Sequence, residues 1–160
     1  MLPRLRERRS RQNGFSLIEL LIVIAIILII LSIALPQMGK SQMNAREVGA
    51  IATLRTIYTV ETQYMSQYGQ FATSLSQLGP PPAGAGEGPQ AADLIKGSLA
   101  SGTTGGYVYT LAGSPTGYSI TAVPQVFNTT GRRTFYTDQS GIIRQNWTNE
   151  PATDKSDELK

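Results

Sequence analysis

The chain has 160 residues, enough for one modest domain with an appendage, and 41% of them are apolar. It has neither cysteine nor histidine, which excludes a disulfide framework, thiolate and imidazole metal sites, and a Ser-His-Asp triad. The formal net charge of +3 is concentrated at the start, where Arg4, Arg6, Arg8, Arg9 and Arg11 against Glu7 give +4.

Beyond residue 14 the charges nearly balance, nine basic against ten acidic. No basic patch interleaved with aromatics follows, so nucleic-acid binding is not directly supported. No catalytic constellation or metal-ligand spacing emerges either, and we expect a non-enzyme without cofactor.

The first element is an apolar run, Leu17 to Leu35, interrupted only by Glu19 and Ser32. As a helix it spans roughly 28 Å, near the thickness of a bilayer hydrocarbon core. The preceding arginines predict a cytoplasmic N-terminus. An ordinary signal peptide fits poorly, because the run is long and Ile33-Ala34-Leu35-Pro36 is a poor cleavage site. A plain anchor fits the length but leaves Glu19 unexplained, since a charge within a span is costly and usually functional.

The stretch Gly14-Phe15-Ser16-Leu17-Ile18-Glu19-Leu20, behind its basic leader, resembles the processing site of type IV prepilins and pseudopilins. The resemblance covers about the first thirty-five residues. It implies cleavage by a prepilin peptidase between Gly14 and Phe15, N-methylation of Phe15, and retention of the apolar helix. It also implies an assembly salt bridge between Glu19 of an incoming subunit and the Phe15 amine of another copy. The residue types suit these roles. Gly14 lets the backbone enter a narrow cleft. The new amine would sit unfavourably at the positive end of the helix dipole, and Glu19 lies one turn away on the same face.

Pro36 follows the run. It removes a helical hydrogen bond and is expected to kink the helix rather than end it, because helical signals continue. From Gln37 to Tyr68, Val48, Ile51, Leu54, Tyr58, Met65 and Tyr68 recur at three- and four-residue steps, widened by Ile57, Val60 and Tyr64. Lys40, Asn44, Arg46, Glu47, Arg55, Thr59 and Gln63 are assigned to the polar positions, and Gly69 supplies a stop. Tyr58, Tyr64 and Tyr68 are read as packing residues rather than an electron path.

Residues 79–90, GPPPAGAGEGPQ, are irregular. Ala91 to Ala100 is compatible with a short helix. Four strands are predicted at Tyr107–Leu111, Tyr118–Val123, Arg133–Thr137 and Gly141–Gln145, with turns at 113–117 and 138–141. The block TFYTDQSGIIRQN is also similar to the last hairpin of some pilin-like chains. Most pilins close their last loop with a disulfide, which this chain cannot form; its 123–132 loop must be held by packing, hydrogen bonds or neighbours. The tail from Glu150 to Lys160 is polar and read as disordered.

The expected organisation is a leader over 1–14, a transmembrane or filament-core half-helix over 15–36, an amphipathic half over 37–68, a loop region over 69–105, a sheet over 106–147 and a polar tail over 148–160. The fold class is α+β: a long N-terminal helix, the pilin ladle, packed on a small antiparallel sheet of about four strands. The resemblance implies a structural subunit held in the inner membrane as precursor and polymerised into a cell-surface filament for adhesion, motility or DNA uptake. Its partners would be prepilin peptidase, membrane lipid, the inner-membrane pilus assembly machinery and further copies of itself. A pseudopilin of a type II secretion system shares the N-terminal chemistry. A bitopic membrane protein with an external binding domain is the alternative of another class.

Overall fold

The computed structural model describes residues 14–114 and 116–160. The arginine-rich leader before Gly14 and Pro115 of the 113–117 turn lie outside the described residues. One long helix, α1, spans Leu17–Tyr68. The chain divides into two compact units, with the boundary between Met38 and Gly39.

In the first unit α1 is apolar on every side, and its large side chains from Leu17 to Leu35 are all exposed. This helix is long and apolar enough to cross a membrane. Helical backbone continues across Pro36.

The second unit carries an α+β domain. Short helices α2 (Leu75–Leu78) and α3 (Gly97–Ala100) precede strands β1 (Thr103–Thr104), β2 (Tyr107–Ser114), β3 (Gly117–Pro124), β4 (Thr134–Asp138), β5 (Arg144–Asn146) and β6 (Asp157–Glu158). Each strand pairs antiparallel with the next, giving the order β1-β2-β3-β4-β5-β6. The period-two pattern is clean. Tyr107, Tyr109 and Leu111 of β2 point inward, and so do Tyr118, Ile120 and Ala122 of β3. Tyr109 lies opposite Ala122, where a large side chain meets a small one, and Leu111 lies opposite Ile120, an aliphatic pair.

This face packs on Ala50, Leu54, Ile57, Val60 and Tyr64 of α1, forming one core with Phe135 and Ile143. The buried stripe differs from the expected one. Val48 is 63% exposed, and Tyr58 and Met65 are each more than a third exposed, whereas Glu47 and Glu61 are buried. The true stripe runs through 47, 50, 54, 57, 61 and 64, and its two carboxylates disguise it.

Three further expectations change. The sheet has six strands, because β1 and β6 extend each edge by two residues. Only Gly97–Ala100 of the 91–100 stretch is helical, since Ala92 to Ile95 instead hydrogen-bond back to Gln77, Leu78 and Gly79. The tail is ordered. Ala152 is buried, the Leu159 N–H donates to the Ile143 carbonyl at 2.8 Å, and Arg144 pairs with Glu158. Polar composition hid it because backbone pairing at a sheet edge needs little apolar surface.

Candidate functional site

Gly14, Phe15 and Ser16 form a non-helical lead-in to α1, and all three are exposed. Phe15 is 86% exposed. A Cβ placed on Gly14 would touch nothing. Among the described residues nothing requires glycine there.

Ser16 is the N-cap position and Glu19 the third helical residue, the spacing of a capping box. The Glu19 carboxylate reaches back and accepts the Ser16 N–H at 2.9 Å. It thereby satisfies one of the free donors at the helix start and places negative charge at the positive end of the dipole. Glu19 stays exposed and has no ion-pair partner among the described residues. The structure thus gathers Gly14, Phe15 and Glu19 at one accessible helix start. Pro36 lies more than five turns further on.

A second constellation, missed by sequence reasoning, centres on Glu47. This side chain is 1% exposed. One oxygen accepts the Arg132 N–H at 2.7 Å, and the other accepts Nε of Arg133 at 2.8 Å. Arg132 also reaches Asn44 at 3.2 Å. The Arg133 guanidinium donates to Gln145 and lies between the rings of Phe135 and Trp147, 5.3 and 5.0 Å from their centres. From below, the Tyr107 hydroxyl donates to the Arg133 carbonyl at 2.9 Å; burial pushes that hydroxyl up, so it keeps its proton. A Cβ on Gly131 would overlap the same hydroxyl, which is why the loop passes Tyr107 with a glycine. The 125–133 loop, which no disulfide can close, is clasped to α1 by this charged pair. A signal for it existed: Glu47 is in phase with Ala50, Leu54 and Ile57 at steps of three and four.

The fold and the N-terminal site together define a class: an α+β protein headed by one long helix with an apolar first half and a capped, accessible start. Comparison with known proteins shows that the chain is similar, over less than half of its length, to a type IV major pilin and a competence protein. The family model described as "Prokaryotic N-terminal methylation motif" matches residues 9–35. Over 69 residues the chain is 35% identical to the type IV major pilin protein PilA of Myxococcus xanthus, covering 43% of this chain and 31% of that protein. Over 67 residues it is 37% identical to the competence protein ComGC of Halalkalibacterium halodurans, covering 42% of this chain and 66% of that protein. The chain therefore spans about a third of the one relative and just under two thirds of the other. No solved structure matches it.

Proposed function

We propose that the chain is a non-enzymatic structural subunit, cut between Gly14 and Phe15 by a prepilin peptidase, N-methylated on Phe15 and polymerised through α1 into a cell-surface filament. One observation carries this reading. The apolar half of α1 is exposed along its whole length, directly behind a start that is accessible and whose glycine touches nothing among the described residues. Such a surface requires lipid or other copies of itself as cover. Burial at about 25 cal/mol per Å² of apolar surface suits a filament without covalent links.

In this reading the precursor rests in the inner membrane with its N-terminus cytoplasmic. Cleavage creates the Phe15 amine. On assembly, Glu19 exchanges its own-chain cap for the amine of a subunit already in place. A buried ion pair is costly to leave unmatched, so the pair fixes the register of a bundle that apolar contacts alone would leave free to slide. Pro36 provides a kink between the two halves of α1. Adhesion, motility and DNA uptake are the filament functions proposed; the likeness to a competence protein favours the last.

Surface filaments sheared from cells test the proposal. This chain should be their main component, and mass spectrometry should find it starting at N-methylated Phe15. A mature chain that starts before Gly14 or after Pro36 refutes it. Short fibres formed only on overexpression, with loss of protein export on deletion, would assign the chain to type II secretion as a pseudopilin instead.

A further inference from the structure

The second buried carboxylate of α1, Glu61, takes no part in the N-terminal chemistry or in the clasp. It is fully buried. Its Oε2 accepts the Ala72 N–H at 3.0 Å, while Oε1 is shut off from solvent with no hydrogen-bond partner. The Tyr118 hydroxyl is in the same condition, buried and unpartnered.

Ala72 belongs to the strap that leaves α1. Gly69 adopts φ 72°, with its N–H on the Met65 carbonyl at 2.9 Å, and the chain folds back. The Phe71 ring then packs on Tyr118 at 5.3 Å, and Ala72 is fully buried. On the far side the strap presses on β2, where a Cβ on Gly113 would overlap the Ala72 carbonyl. Residues 70–73 are therefore held between Glu61 of the helix and Gly113 of the sheet.

Among the described residues no cation pairs with Glu61. The ion pairs among the described residues are Arg133–Glu47 and Arg144–Glu158. The titratable groups facing it are Tyr64 from its own helix and Tyr118 from β3, the latter also faced by Tyr58 and Asp138. The strap contributes the Ala72 N–H, and β2 contributes a glycine. A buried carboxylate with one bare oxygen and no counter-charge is unfavourable. A neutral carboxyl suits the site better. It keeps an acceptor for Ala72 and gains an O–H donor, in a region whose other orphaned polar atom, the Tyr118 hydroxyl, can accept.

We propose that Glu61 is a proton-operated latch on the strap 70–73, which stays docked while the carboxyl holds its proton and loosens when the proton is lost. Burial pushes this carboxyl up from 4.5 to about 7, against a smaller opposing pull from the Ala72 N–H. Because the folded value lies above the ordinary one, the stabilisation is complete below about pH 4.5 and is lost as pH rises through about 7. The latch therefore opens within the neutral range.

The test is hydrogen exchange in the full chain in detergent micelles, with rates at residues 70–73 corrected for intrinsic exchange. Wild type should lose Ala72 protection by about tenfold per pH unit between about pH 4.5 and about pH 7 and level off above that. Glu61→Gln, which keeps the acceptor and carries a permanent N–H donor, should hold constant protection across the same range. Protection independent of pH in wild type, or falling equally in both proteins, overturns the latch. Should the variant fail to fold, the wild-type infrared spectrum decides. A protonated-carboxyl band present in mild acid and gone in mild base supports the proposal, and its absence throughout overturns it.

Discussion

The Glu19 carboxylate caps its own helix by accepting the Ser16 N–H at 2.9 Å. A residue that looks like a stray charge in an apolar span has a stabilising partner three residues away before any other copy arrives. Assembly, as proposed, is then an exchange rather than a simple gain: the cap is released and a partner's amine is taken. Only the difference between the two favours the filament, which makes the contact reversible in principle.

Capping and charge pairing separate in two variants. Glu19→Gln retains a side chain that can reach the Ser16 N–H but carries no charge. Glu19→Val loses both. Each should be processed normally, as seen in the mass of the mature N-terminus. Each should also lose filament assembly, because leaving the Phe15 amine unmatched costs about 3 kcal/mol, more than about a hundredfold in subunit affinity. Wild-type filament yield from Glu19→Gln would show that the cap, not the charge, is what assembly needs.

Gly14 has open space around its Cα, so larger residues fit the folded chain without strain. Gly14→Ile should accordingly leave the domain's thermal stability unchanged while blocking cleavage. The uncut precursor, heavier by residues 1–14, should accumulate in membranes on immunoblots. Normal processing would remove the peptidase-cleft argument for this residue.

Arg133 is 18% exposed at its side chain and Glu47 is 1% exposed, so removing the guanidinium strands a buried carboxylate. Arg133→Ala should destabilise the domain by about 3 kcal/mol in urea unfolding. Arg133→Lys should recover only part of this, because an ammonium cannot reproduce the Nε contact and the stacking on Phe135 and Trp147. Trp147 is the chain's single tryptophan, so its fluorescence reports the clasp directly. An unchanged emission spectrum in Arg133→Ala would contradict the stacking described.

Gly113 meets the Ala72 backbone too closely for any side chain. Gly113→Ala should cost about 2 kcal/mol, read as a lower urea midpoint with unchanged slope. Gly49→Ala, at a helix position with open space, should instead stabilise by about 0.5 kcal/mol through the unfolded chain.

The N-terminal methylation motif was legible because it is linear: Gly14, Phe15 and Glu19 are close in sequence within the matched residues 9–35. The helix and the central strands were legible through their periods. The two buried glutamates were not. At Glu47 and Glu61 the apolar stripe is broken by the residue type most at home in water, and the compensating donors, the N–H groups of Arg132 and Ala72, lie 85 and 11 residues away. Pattern reading therefore moved the stripe toward Val48, Tyr58 and Met65. The ends of the sheet were missed for a related reason. β1 and β6 are two residues each and are defined by what they pair with, not by their own composition.

The strand order β1-β2-β3-β4-β5-β6 has a consequence for how the domain comes into being. Every strand adds to the one made just before it, so no pairing waits for a distant segment, and contacts of this short range favour rapid folding. The helix is synthesised first and offers its stripe as a template, and the sheet can then grow outward in order of synthesis. The ties from Asn44 and Glu47 to Arg132 and Arg133 are among the exceptions; they close loops of 85 to 88 residues and can form only once β4 is in reach. They complete the domain late: a chain stopped before β4 could pack β2 and β3 on the helix but would leave the Glu47 carboxylate without its donors.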